Sequence, residues 1–148
     1  MSRQTPKNTK KNATAWVWVV TIIVIAFAVY AGVSALSQPG GEGGLAREVS
    51  VSKAATLREE GAFVLDVREP DEWVAGHIPD ATLIPLGELQ SRLAEIPVDQ
   101  QIVVVCRSGN RSATGRDILL DAGFEQVTSM GGGMNEWINQ GLPTVTGP

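Results

Sequence analysis

The sequence predicts an α/β domain built on a five-stranded, mainly parallel sheet with helices on both faces, preceded by one transmembrane helix. Three observations carry this. After residue 47, short apolar runs alternate with helical patterns across short links, the order expected of strands joined by crossover helices. Ala62-Phe63-Val64-Leu65-Asp66 is a nearly continuous apolar run, as in a strand covered on both faces. Asn12 to Gly41 contains no charged residue, and Ala15 to Leu36 is almost wholly apolar.

That apolar stretch divides the chain. Residues 1–14 hold Arg3, Lys7, Lys10 and Lys11 with no acid, while the rest carries 8 basic and 16 acidic residues. An acidic folded part argues against a nucleic-acid surface. As a helix, residues 15–36 would reach about 33 Å, against about 30 Å of bilayer hydrocarbon. Trp16, Trp18 and Tyr30 suit interfacial belts, and the four cations place the N-terminus in the cytoplasm and the domain outside it, in a single-pass arrangement at the cell membrane. A cleaved signal peptide ending near Val33-Ser34-Ala35, leaving a secreted or periplasmic domain, is the competing reading. The apolar run is longer than the usual signal core. Residues 37–46, with Gly40, Gly41, Gly43 and Gly44, read as a flexible linker, and 47–148 as the folded domain.

Within that domain Val49 and Val51 read as a short first strand. Ser52 caps a helix through Lys53 to Glu60, with Gly61 as its stop. The strand Ala62–Asp66 delivers Asp66 and Arg68 to its C-terminal end, where open α/β sheets keep their working groups. Pro70, Asp71 and Glu72 open a brief helix to Val74, with Trp73 packing inward. Gly76-His77-Ile78-Pro79 turns the chain. His77 is the only histidine and Cys106 the only cysteine, so a histidine or cysteine metal site is not expected, and His77 reads as a local hydrogen-bonding residue. Ala81–Ile84 is a third strand, Leu86–Leu93 an amphipathic helix, Gln101–Val105 the fourth strand and Gln126–Thr128 the fifth. Between the last two, a helix runs to Asp121 with Gly123 as its stop, and Glu136-Trp137-Ile138 belongs to a closing helix, with Trp137 a core residue.

The segment Val103-Val104-Val105-Cys106-Arg107-Ser108-Gly109-Asn110-Arg111-Ser112 is where chemistry concentrates. It reads as strand, tight loop and helix. Ser108, Gly109 and Asn110 suit a loop whose amides converge on one point, and the helix behind aims its positive end there. Such a setting, with two arginines, draws a thiol toward thiolate and makes Cys106 a nucleophile at neutral pH. A buried, inert cysteine is the alternative, but a purely structural turn has no need of two arginines around a Ser-Gly-Asn bowl. Met130-Gly131-Gly132-Gly133 is a compliant loop at the same sheet edge and a candidate wall of the pocket.

Cys106 to Ser112 resembles the active-site loop of single-domain rhodanese sulfurtransferases. Asp66-Val67-Arg68-Glu69-Pro70-Asp71-Glu72-Trp73, Gly76-His77-Ile78-Pro79 and Gly132-Gly133-Met134-Asn135-Glu136-Trp137 resemble that family's remaining signatures in order. Four residues separate Cys106 from Arg111, as in the sulfurtransferase loop, whereas related phosphatase loops have five. The family usually has glycine where Asp80 sits.

The resemblance implies a rhodanese-like fold and transfer of a sulfane sulfur from thiosulfate or a similar small anionic donor to a thiol or cyanide acceptor, through a persulfide on Cys106. It implies no cofactor. Arg107, Ser108, Gly109, Asn110, Arg111 and Ser112 would bind substrate, with Arg107 facing the incoming anion. Arg111 would brace the loop with Asp66 as a candidate partner, and Asp66 and Arg68 would support it. A non-turnover sulfur carrier or interaction module of the cell envelope, serving an envelope protein, is the alternative.

Overall fold

The structure is a computed structural model that describes residues 45–148. The basic N-terminus, the expected membrane helix and residues 37–44 of the linker lie outside the described residues. Among the described residues, no helix is long and apolar enough to cross a membrane.

The strands are β1 (Glu48–Val49), β2 (Phe63–Asp66), β3 (Thr82–Leu83), β4 (Ile102–Val105) and β5 (Val127–Met130). They form one sheet in the order β1-β5-β4-β2-β3, and every pairing is parallel. The helices are α1 (Val51–Glu59), α2 (Pro70–Ala75), α3 (Asn110–Asp121) and α4 (Gly133–Asn139).

Side-chain alternation along the central strand decides where the cysteine goes. Ile102, Val104 and Cys106 share one face of the sheet and pack with Leu65, Leu89 and Leu119 of α3. Val103 and Val105 point the other way, into a second cluster with Val51, Ala54 and Leu57 of α1 and Met134 and Trp137 of α4. Cys106 therefore sits on the α3 face at the C-terminal end of β4, under the first turn of α3. Gly115 lets α3 approach closely, since a Cβ there would stand 3.1 Å from the Val104 side chain.

Several local expectations are corrected. Val51 is the first residue of α1 and is buried; Ser50, not Ser52, caps the helix by accepting the Lys53 amide at 3.2 Å. The expected helix over Leu86–Leu93 is two 3-10 turns, Leu89–Ser91 and Leu93–Glu95, where the Ser91 hydroxyl competes for the Glu88 carbonyl at 2.8 Å. β5 extends to Met130. Asp80 holds φ +63°, the region glycine favours, and Arg58 secures that turn through the Pro79 carbonyl and the Asp80 carboxylate. Trp73 is half-buried and outside both core clusters, stacked on the His77 ring at 3.5 Å, whereas Trp137 is in the core.

β1 is only two residues long, and side chains hold what its backbone does not. Arg116, buried on α3, donates to the Arg47 carbonyl at 3.0 Å and the Ser129 hydroxyl at 2.9 Å. Thr128 donates to the Ala46 carbonyl at 2.6 Å. At the other end of the chain, Val145 and His77 exchange both backbone hydrogen bonds and Trp137 Nε1 donates to the Pro143 carbonyl.

Candidate active site

The site forms where β4 stops and α3 begins. Gly109 turns the chain with φ +106° and is the residue immediately before α3, so Asn110, Arg111 and Ser112 are the first turn of that helix rather than part of the loop. A left-handed residue here folds the loop back over the sulfur, a geometry glycine adopts without strain.

Cys106 is 1% exposed and lies at the bottom of the resulting bowl. The Gly109 amide donates to Sγ at 3.1 Å, and the Ser112 hydroxyl stands 3.6 Å from it. The same hydroxyl donates to the Gly109 carbonyl at 2.8 Å and closes the loop on itself. Burial pushes the thiol up. The Ser112 hydroxyl and the amides of Ser112, Ser108 and Gly109 pull it down by more, so it titrates below the ordinary thiol value. The bowl favours the ionised form of the thiol through backbone N–H groups, with the Gly109 amide aimed at Sγ and the Ser112 hydroxyl beside it, the chemistry of an anion hole.

The two loop arginines have different settings. Arg107 is exposed, and among the described residues no carboxylate stands within ion-pair distance of it. Arg111 does not meet Asp66, the expected partner; it makes a two-pronged pair with Glu72 of α2, at 2.7 and 2.8 Å. Each charge reinforces the other: the Arg111 guanidinium holds the Glu72 carboxyl below its ordinary value, and Glu72 raises Arg111, aided by the Cys106 charge.

Asp66 is unavailable because Arg68 occupies it. The pair is buried, with Arg68 Nη2 2.6 Å and Nε 2.9 Å from the carboxylate, and the Arg68 amide also donates to Asp66. Arg68 also donates from Nη1 to the Glu72 carbonyl and from Nη2 to the Gly76 carbonyl. Asp66 and Arg68 thus fix α2, and α2 presents Glu72 to Arg111. Sequence reasoning passed over Glu72; its one signal was the reciprocal cap of Glu69 and Glu72 around Pro70, which marks an ordered helix start.

The Met130–Gly133 segment lies against the backbone of the Cys106–Gly109 loop. Met134 donates its amide to the Cys106 carbonyl at 2.8 Å and Asn135 to the Arg107 carbonyl at 3.0 Å. His77 is engaged locally, with Nδ1 3.1 Å from the Trp73 carbonyl. Among the described residues, no group of three or more His, Cys, Asp or Glu side chains is placed to hold a metal ion.

A parallel sheet that delivers a lone cysteine into an amide-lined bowl at a helix start defines a class: α/β domains carrying a cysteine in an anion-cradling loop. Within that class, residues 50–140 match the rhodanese-like domain, more than half of the chain, and the protein belongs to that family. A protein of Allochromatium vinosum named sulfurtransferase is 38% identical over 86 residues, covering 58% of this chain and 80% of that one. The thiosulfate sulfurtransferase GlpE of Pseudomonas syringae is 34% identical over 91 residues, 62% of this chain and 86% of the relative. Among solved structures, a rhodanese-related protein from Thermoplasma volcanium superposes with a TM-score of 0.63 at 32% identity, covering 68% of this chain and 98% of that chain. These relatives support rhodanese-type sulfur transfer at the level of the family.

Proposed function

We propose that the protein is a sulfurtransferase that carries a sulfane sulfur as a persulfide on Cys106. The observation that carries this reading is the thiol itself, held by the Gly109 amide at 3.1 Å and drawn toward thiolate by hydrogen-bond donors despite its burial.

In the first half-reaction the Cys106 thiolate attacks the outer sulfur of thiosulfate or a similar donor. A bond from Sγ to the outer sulfur forms, the bond from that sulfur to the sulfonate breaks, and its electron pair leaves with sulfite. The charge stays on the cysteine side as a persulfide anion, and the amides of Ser108, Gly109 and Ser112 remain placed to hold it. A donor of this kind contributes about 3 kcal/mol when it stabilises developing negative charge. Arg107, exposed on the rim, offers the positive charge that a dianionic donor needs to approach a thiolate. In the second half-reaction an acceptor thiolate or cyanide attacks the outer sulfur and Cys106 leaves as thiolate. No second cysteine exists in the chain, so the acceptor comes from outside.

Incubation with thiosulfate followed by mass spectrometry tests the reading. Wild type gains about 32 Da, one sulfur atom, and Cys106→Ser gains nothing. An unmodified wild type, or equal labelling of both, overturns it. The sequence reading that residues 15–36 tether this activity to the membrane with the domain outside the cytoplasm is part of the proposal. A reporter fused after residue 148 that is active only in the cytoplasm contradicts it.

A further inference from the structure

The bowl's amides have to be aimed, and the aim is set from behind. In a trans peptide the C=O and N–H point in opposite directions, so fixing one fixes the other. The carbonyl of the Arg107–Ser108 peptide accepts the Asn135 amide at 3.0 Å. The N–H of that same peptide belongs to Ser108, one of the amides that lower the Cys106 pKa. The neighbouring carbonyl, that of Cys106, is likewise held by the Met134 amide at 2.8 Å.

This contact depends on one residue. Gly133, the first residue of α4, has φ +57°, and a Cβ built there would lie 2.4 Å from the Cys106 carbonyl oxygen and 2.6 Å from the Arg107 carbonyl carbon. These neighbours are backbone, which has no rotamer to yield. Only glycine lets the start of α4 come close enough for its amides to take both carbonyls.

We propose that Gly133 and the Asn135 amide are positioning groups of the sulfur-transfer site: they turn the Arg107–Ser108 peptide so that its N–H points at Cys106. This rests on the persulfide reading above but acts on the thiolate before any sulfur arrives. The residues touch neither donor nor acceptor; they act through the Ser108 amide.

The test follows iodoacetamide alkylation of the only cysteine against pH, alongside kcat/KM for thiosulfate, in four full-length proteins. These are wild type, Gly133→Ala, Asn135→Pro and Gly123→Ala. Asn135 is exposed and in the first turn of α4, where proline removes a donor that no helical carbonyl uses. Gly123 controls for backbone strain, since its φ is +94° and nothing lies within 4 Å of its Cβ position. The alkylation midpoint is expected to move to higher pH in Gly133→Ala and Asn135→Pro and to stay in place in Gly123→Ala. The kcat/KM of Gly133→Ala and Asn135→Pro should fall about a hundredfold, the low end of losing an aimed donor.

Folded variants of Gly133 and Asn135 with the wild-type midpoint overturn the proposal. Should Gly133→Ala fail to fold, Asn135→Pro decides alone. A wild type that takes up no sulfur defeats the functional reading, while the alkylation midpoints still judge the aiming of the amide.

Discussion

Glu72→Gln is the most informative single change outside the bowl, because it removes one charge from a pair that joins α2 to the first turn of α3. Gln keeps the size and one carbonyl oxygen, so one of the two bonds to Arg111 and the ionic attraction are lost, together with part of the cap on the Glu69 amide. The side chains are 24% and 31% exposed, which puts the pair between two regimes. Exposed pairs contribute about 0.2–1 kcal/mol and charge-assisted bonds about 1.5–3 kcal/mol, so a pair a quarter to a third in water is worth about 1–2 kcal/mol. The weakened cap adds roughly 0.5 kcal/mol. Urea denaturation at neutral pH should therefore find the variant less stable by about 1.5–2.5 kcal/mol. The pH dependence has a definite sign. Glu72 titrates below its ordinary value of 4.5 when folded, so its contribution is complete above that value and is lost as pH falls through the lowered pKa. The gap between wild type and Glu72→Gln should thus close in acid. A gap under about 0.5 kcal/mol at neutral pH, or one that does not shrink down to about pH 3, refutes the reasoning.

Two further outcomes follow from the same network. Ser112→Ala removes both the hydroxyl beside Sγ and the bond to the Gly109 carbonyl; the alkylation midpoint of Cys106 should rise, and stability should drop by about 1–2 kcal/mol in urea. Arg68→Met leaves the Asp66 carboxylate, 1% exposed, without its cation and strands the carbonyls of Glu72 and Gly76. Denaturation should register a loss of about 3–5 kcal/mol, and Asp66→Asn in the Arg68→Met background should recover part of it.

What was legible in the sequence is what lies close together in the chain. Cys106, the glycine turn and the helix behind them are contiguous, so apolar run, small residues and resumed periodicity could be read in one pass. Strand parity could be read too, since Ile102, Val104 and Cys106 alternate with Val103 and Val105. The partner of Arg111 was not legible. Glu72 is 39 residues away, and nothing in either helix's periodicity points to the other; Asp66 looked as suitable until Arg68, two residues along, was seen folded back onto it. The role of the glycine run was half legible. Three glycines announce a close approach, but that it serves the back of the Cys106 loop depends on β5 lying beside β4, which the order of elements in the chain does not reveal. The helix expected over Leu86–Leu93 failed because leucine spacing alone does not weigh a serine that takes a backbone carbonyl for itself.

The two-residue edge strand has a practical consequence for anyone cutting this domain free. A fragment begun at residue 50, where the family match starts, would discard the carbonyls of Ala46 and Arg47 that Thr128, Ser129 and Arg116 use as acceptors. A guanidinium and two hydroxyls would then be left facing a missing edge beside β5, the strand next to the one that carries Cys106. Fragments should begin no later than Leu45; a shorter one would misjudge the domain through an artefact of its own truncation.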